Sequence, residues 1–399
     1  MTDVPHLVLV GARTEVVGKL VGLPLALTVI QPPGPSTALE QLVALRVISL
    51  DFTDVPSLVE CVSDIHRSRR IDAILSLTEP GLYPASVAAQ AVGARANPPE
   101  AVAVTVDKSS MRKRLAEKGL DTTAYQVCHQ LDEAVRFAGK CAAGVIVKPL
   151  NGSGSSGVAL ARHPADVPAA WAWCVAAAAD GTVLAEEYLR GREFSAETVT
   201  AGGEHRLLAI TAKHTTGPPH FIETGHDIPA QLAGHEVSAI SGAVVAALDA
   251  VGHTWGPCHT ELMVSERRVS IVEINTRVGG DRIWEMVELA TGTDLVAASA
   301  CALALGALPP AGASRTAGAS VRFLTPPPGR VRAVQGLDSA LSVSGVVRIG
   351  DLPRAGQVIQ PLASSEHRAG YVLAVGMDAE SSIRSAEEAI GRIVIRTQA

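Results

Sequence analysis

Short apolar runs punctuate the first hundred residues, and helix-compatible sequence fills the intervals between them. Residues 6–11 (HLVLVG), 26–30, 47–50 and 73–76 are each too short for a helix and rich enough in branched side chains for a buried strand. Their alternation with helices predicts a small parallel sheet covered on both faces. Ligands of such sheets bind beyond the carboxyl ends of the strands, which singles out the loop Thr78-Glu79-Pro80-Gly81.

After Asn97-Pro98-Pro99 the pattern changes. A helical segment running from Glu100 until Gly119 closes it carries Asp107-Lys108 and Met111-Arg112, which places a domain boundary near residue 104. The β-branched run 144–147 enters a glycine- and serine-rich stretch, 151–157, and the chain leaves through the apolar residues 158–160, a strand–loop–strand pattern. Alanine-rich residues 165–179 read as a helix, and the strand-like run 183–185 leads into Glu186-Glu187-Tyr188-Leu189. Further strands are expected at 193–199, 207–211, 258–264 and 269–274, the last two closing a hairpin around residues 265–268. The longest apolar stretch, 295–308, has fourteen residues and stops at Pro309-Pro310; it is too short to span a bilayer and predicts a buried helix. Pro326-Pro327-Pro328 then leads into short β-like pieces and a closing helix over 381–393. The expected organisation is an α/β chain with an N-terminal domain over 1–104, a linker and lid over 105–186, a core over 187–310 and a small α+β section over 311–399.

Composition narrows the function classes. With 47% hydrophobic and 19% charged residues, the chain of 399 has apolar material for two or three cores. A net charge of −6 and only 3% aromatics supply neither a basic field for a phosphate backbone nor a surface for base stacking, so nucleic acid is not an expected partner. No membrane segment is expected either. The six cysteines, Cys61, Cys128, Cys141, Cys174, Cys258 and Cys301, are scattered without a C-x-x-C pair, as expected of buried thiols in a reducing cytoplasm. The first six residues lack the basic stretch and long apolar core of a signal peptide.

Two segments carry candidate chemistry. In VSIVEINTR, residues 269–277, alternate side chains of a strand share a face, so Glu273, Asn275 and Arg277 point together while Ile274 points into the core. Glu261 lies twelve positions earlier, in the partner strand of the hairpin, and can be folded back beside Glu273. Two carboxylates and an amide are hard oxygen ligands suited to Mg²⁺, which takes its remaining ligands from water and substrate phosphates. The second segment is VIVKPLNGSGSSGV, residues 145–158. Its glycines allow close backbone approach, so the amides of Gly152, Ser153, Gly154, Ser155, Ser156 and Gly157 can wrap phosphate oxygens beside the point charge of Lys148. It is not a Walker A loop, because no G-K-[ST] follows and no helix starts there.

Taken in order, Lys108, Lys148 with its glycine loop, residues 186–189 and the E-x-N-x-R ending resemble the motif set of the ATP-grasp superfamily across roughly residues 1–399. That resemblance implies a Rossmann-like parallel-sheet domain, a central lid that is mobile over roughly 125–185, and a large ATP-grasp domain with a small β-rich terminal section. It implies that Lys108 and Lys148 contact the ATP phosphates, that Lys148 also lies near the adenine, and that Glu186, Glu187 and the Leu189 backbone receive the adenine. Glu193 would take the ribose hydroxyls. Glu261, Glu273 and Asn275 would hold two Mg²⁺, with Mn²⁺ as a substitute, and Arg277 would steady the transferred phosphoryl group or the carboxylate.

The stretch KHTTGPPHFIETGHDIP (213–229) and the sequence after Asn275 are similar to the L-amino acid and dipeptide ligase branch, whereas the catalytic segment of biotin carboxylases does not match Val278-Gly279-Gly280-Asp281. Lys213, His226 and Arg282 are the candidates for binding two small-molecule substrates, a carboxylate and an amine, with Gly279-Gly280 permitting close backbone approach and Glu79 as a further candidate. The implied reaction joins an amino acid carboxylate to an amine through an acyl phosphate, releasing ADP and phosphate. A ligase that loads a carrier-protein thiol and a non-catalytic nucleotide-binding subunit are the alternatives, and a homodimer is compatible with the resemblance.

Overall fold

A computed structural model describes residues 4–11, 13–34, 41, 43–178, 181–308 and 317–398. Strands β1 (His6–Val10), β2 (Ala26–Gln31), β3 (Arg46–Ser49) and β4 (Ala73–Leu75) form the expected parallel sheet, in the order β3-β2-β1-β4. Every residue of β1 and β4 is buried because the two faces pack against different partners. Val8, Val10, Ile30 and Ile74 meet the helices Val55–Ser68 and Leu82–Val92. The alternate residues Leu7, Leu9, Val29 and Leu75 share a second cluster with the helices Ile283–Thr291 and Leu295–Leu305 and with strands of the large sheet. The N-terminal sheet is therefore joined to the rest of the molecule through one continuous apolar core.

The segment expected as one helix between Glu100 and Gly119 is two, Pro99–Val106 and Lys108–Glu117. Asp107 adopts an extended conformation between them, and its side chain accepts the Ser110 N–H at 2.8 Å, capping the second helix. Lys108 thereby becomes a first-turn residue at a helix start.

Strands β5 (Tyr125–Cys128), β6 (Val145–Pro149), β7 (Ala159–Ala161) and β8 (Val183–Glu187) form an antiparallel sheet in the order β5-β8-β6-β7. The helices Leu131–Ala138 and Val167–Ala177 cover the face that carries Val145, Val147, Val183 and Ala185. By the two-residue period of strands, Ile146, Lys148 and Glu186 face the other way.

The large sheet contains β9 (Arg192–Ala201), β10 (Glu204–Thr215), β11 (Glu223–Ile228), β12 (Trp255–Val264), β13 (Val269–Asn275) and β14 (Gly318–Phe323). Beyond them come β15 (Gly329–Gln335), β16 (Val346–Gly350), β17 (Val358–Ile359), β18 (Tyr371–Gly376) and β19 (Val394–Gln398). The order is β13-β12-β9-β10-β11-β14-β18-β16, so one eight-stranded sheet joins strands on both sides of residue 310, while β17-β15-β19 form a small separate sheet. The Pro309-Pro310 stop and the 310/311 division lie outside the described residues. The closing helix is Ala379–Gly391, ending two residues before Ile393, and the chain continues into strand β19.

One face of the large sheet packs on the helix Gly234–Val251 through Phe194, Ala196, Ile210, Leu262, Ile271 and Ile274. The alternate residues of the same strands include Glu193, Glu197, Lys213, His259, Glu261, Glu273 and Asn275, so the polar side chains share the opposite face. The apolar stretch that begins at Leu295 is a buried helix packed on β9 and β12. Among the described residues no single helix is long and apolar enough to cross a membrane.

His253, just past the helix Gly234–Val251, is wholly buried and stacks 6.0 Å from His205. Burial, reinforced by His205, holds its pKa down at about 3. The unfolded chain protonates this group near pH 6.5 and the folded chain does not, so its stability contribution is complete above that pH and declines as pH falls toward 3. The loss reaches about 2 kcal/mol near pH 5. His253→Gln is expected to flatten the drop in urea midpoint between about pH 7.5 and pH 5; a drop as steep as in the unaltered protein would exclude His253 as its source.

Candidate active site

A cavity of about 780 Å³ separates the face of the β5-β8-β6-β7 sheet that carries Lys148 and Glu186 from the polar face of the large sheet. Lys108, Lys148, Ser153, Gly154, Ser155, Ser156, Glu186, Glu187, Leu189, Glu193, Lys213, Glu261 and Glu273 all contribute to its wall. Gly157, His226, Asn275 and Arg277 do not.

Charge on this wall is arranged in matched groups. Lys108 Nζ lies 3.2 Å from Glu273 Oε1 and donates to the Gly152 carbonyl at 2.9 Å, linking β13 to the glycine loop. Lys148 Nζ is 2.6 Å from Glu186 Oε2 on the neighbouring strand. Arg112, one helical turn after Lys108, donates from Nε to Glu186 Oε1 at 2.7 Å and from Nη2 to Oε2 at 3.2 Å. Its Nη1 also reaches Asp121, at 3.6 Å, and the Ile271 carbonyl. Burial alone would raise the Glu186 carboxyl, but Arg112 and Lys148 outweigh it and hold the pKa at about 2. Burial lowers the Lys148 pKa, and Arg112 and Lys108 add to that against the pull of Glu186. In the sequence the one signal for Arg112 is its i, i+4 spacing from Lys108, which places both on one helix face.

Lys213 sits among three carboxylates, 2.8 Å from Glu193 Oε1, 2.8 Å from Glu261 Oε1 and 3.7 Å from Glu223 Oε1. Burial opposes its charge, yet these carboxylates raise its pKa well above the ordinary value. Glu187 instead pairs at the rim with Arg268, at 2.6 Å. His259, absent from the sequence reading, bridges Glu261 at 3.2 Å and the fully buried Glu197 at 2.8 Å. Burial disfavours the imidazolium, but Glu197 and Glu261 raise its pKa to about 9, so both ring nitrogens donate.

The hairpin sets Glu261 directly opposite Glu273 and His259 opposite Asn275. Like charges at paired positions repel unless a cation lies between them. Among the described residues no group of three or more His, Cys, Asp or Glu forms a complete metal cage. Two opposed carboxylates with an amide one step along the same strand suit a cation that needs few protein ligands and takes the others from phosphate and water, which is the chemistry of Mg²⁺.

Beyond Asn275 the wall turns toward the N-terminal sheet. Arg277 Nε donates to Glu79 Oε2 at 2.7 Å, joining the end of β13 to the loop after β4. His226 Nε2 is 3.0 Å from Asp281 Oδ2, and its buried Nδ1 has no partner among the described residues. Arg368 also donates to Asp281, at 2.8 Å. Gly279 is required for a reason internal to the protein, since a Cβ there would come 2.7 Å from His259 Nδ1; Gly280 has open space. Arg282 lies 3.1 Å from Glu15 and packs over the Tyr371 ring, as an anchor between the core and the first helix, Thr14–Gly18.

Residues 141–285 match the model of the ATP-grasp domain, and residues 322–398 match L-amino acid ligase C-terminal domain 2. The chain thus carries an ATP-grasp domain followed by a C-terminal domain of the L-amino acid ligase type. The uncharacterized protein y4rH of Sinorhizobium fredii is 25% identical over 354 residues, covering 87% of this chain and 73% of that protein. A D-alanine–D-alanine ligase of Gloeobacter violaceus is 28% identical over 45% of this chain and 61% of its own length. The crystal structure of L-amino acid ligase from Bacillus licheniformis superposes over the full length of both chains with a TM-score of 0.82 at 22% identity, so this ATP-grasp chain shares its α/β fold.

Proposed function

We propose that the chain is an ADP-forming ligase that joins the carboxylate of an amino acid to an amine, with ATP as the energy source. The observation that carries this reading is the opposed pair Glu261 and Glu273, each matched to a lysine, on the wall of a cavity roofed by the glycine loop. Glu261 and Glu273 would hold a divalent cation, and Lys108, no longer paired with Glu273, would donate to phosphate oxygens. Glu261, Glu273 and Asn275 would hold Mg²⁺, or Mn²⁺ in its place, and two ions are expected. The metal supplies neutralisation of phosphate charge.

The adenine would sit against Glu186, Glu187 and the Leu189 backbone beside Lys148, with the ribose near Glu193 and the phosphates under residues 153–157. Attack of the substrate carboxylate on the γ-phosphate gives ADP and an acyl phosphate. Lys108 and Lys148 on the cavity wall, joined by Arg277 if it leaves Glu79, would stabilise oxygens that gain charge in that step. A neutral amine then attacks the acyl carbon and phosphate departs. His226 and Lys213 are proposed on the substrate side, and the glycine loop excludes the water that would hydrolyse the acyl phosphate.

The deciding experiment incubates the protein with Mg²⁺, ATP and amino acids or other carboxylates, singly and in pairs, and identifies products by mass spectrometry. ADP, phosphate and an amide are expected only when both partners are present. Release of AMP and pyrophosphate would rule out the acyl phosphate route. Lys148→Ala is expected to weaken ATP binding and phosphoryl transfer together, on the order of tenfold or more each, because it removes the charge placed between adenine and phosphates. Unchanged binding of ATP by calorimetry would remove Lys148 from the site.

A further inference from the structure

We propose that Ser365 and Arg368 are positioning residues that hold the glycine loop closed over bound nucleotide and brace it to the loop that follows the metal-binding strand. The proposal rests on the nucleotide reading of the cavity and goes beyond it by giving the C-terminal section a part in the active site. The glycine loop has little to order it from within. Residues 151–154 are exposed, and their glycines and serines bury no apolar side chain against the molecule. Fixing such a stretch costs backbone entropy that contacts from elsewhere must offset.

Those contacts come from the short turn Ser365–His367, more than two hundred residues later in the chain. The Ser365 N–H donates to the Gly154 carbonyl at 3.0 Å, and its hydroxyl donates to Glu223 Oε2. Glu223 accepts in turn from Ser155 Oγ, 3.1 Å from both carboxylate oxygens, so one carboxylate at the start of β11 clamps the loop and the turn together. Ser155 has a φ of +56°, a left-handed conformation that a non-glycine residue adopts at a cost and that these bonds sustain.

Arg368 carries the brace onward. Its Nε donates to the Ser365 carbonyl at 2.6 Å, its guanidinium lies 3.7 Å over the Phe323 ring, and both terminal nitrogens reach Asp281. Asp281 sits four residues past Arg277 in the loop after β13, also with a positive φ, and accepts from His226 as well. A planar fork held by three acceptors and stacked on an aromatic ring has little freedom to move independently. The glycine loop and the loop beyond the metal ligands therefore share one rigid strut, and a shift at Asp281 is felt at Gly154.

Hydrogen exchange tests this, using Mg²⁺ with a non-hydrolysable ATP analogue on the full chain. In the unaltered protein the analogue is expected to protect the amides of residues 151–157. Ser365→Ala and Arg368→Lys are expected to speed their exchange about tenfold, one charge-assisted hydrogen bond's worth, while residues 318–350 exchange unchanged. Ser365→Thr, which keeps the hydroxyl, is expected to restore protection. Loop protection undiminished in both Ser365→Ala and Arg368→Lys would overturn the strut alone. Failure of the analogue to protect the unaltered loop would overturn the nucleotide reading and the strut with it.

Discussion

Glu273→Ala is expected to reduce ATP-dependent turnover on the order of a thousandfold or more while leaving the fold intact. The size follows from the role: the variant removes one of two opposed carboxylates proposed to hold the cation that neutralises phosphate charge in the transition state, and losing such stabilisation removes several kcal/mol. The fold survives because Glu273 faces the cavity and not an apolar core, its side chain 19% exposed, and because the substitution relieves repulsion with Glu261. Lys108 keeps its bond to the Gly152 carbonyl. ADP release and the Mg²⁺ dependence of nucleotide binding measure the loss, and the thermal midpoint measures the fold. Turnover equal to that of the unaltered protein would remove Glu273 from the metal site.

Arg112→Ala is expected to have the largest effect on stability, about 3–5 kcal/mol, because it strands Glu186 in a buried site with Lys148 as its remaining ion-pair partner and removes the cation beside Asp121. Glu186 is held at about 2 against an ordinary 4.5, so its contribution is present above about pH 4.5 and lost as pH falls toward 2. In Arg112→Ala that acid-side loss is expected to shrink along with the stability at neutral pH. The double variant Arg112→Met, Glu186→Leu is expected to recover only part of the stability, since it removes the stranded carboxylate but leaves Lys148 buried without an anion and Asp121 without its cation. It is not expected to recover nucleotide binding, because Lys148 then lacks the carboxylate that orients it. Urea midpoints at neutral and acid pH separate these outcomes; an Arg112→Ala protein as stable as the unaltered one would show that the buried cluster contributes nothing net.

Local pattern determined a good deal of this protein. The parallel strands, the strand–loop–strand around residues 151–157, the β12–β13 hairpin and the facing of Glu261 and Glu273 follow from two-residue alternation and turn chemistry, which act over a few residues and can be read without knowing what lies nearby. The order of Lys108, Lys148, residues 186–189 and the E-x-N-x-R ending likewise needed no third dimension. Other features arise from contacts between segments far apart in the chain. The fork of Arg112 on Glu186, the bridge of His259 to Glu197, the reach of Arg277 to Glu79 and the closure of Ser365 on Gly154 are such contacts. So is the merging of β14, β18 and β16 with the core strands in one sheet. The close packing at Gly279 also belongs here, since the sequence shows a glycine and only the fold shows that His259 is what comes near it. Periodicity specifies which way a side chain points, but which charge it meets depends on how separate sheets stack, and burial then decides how strongly each pair interacts.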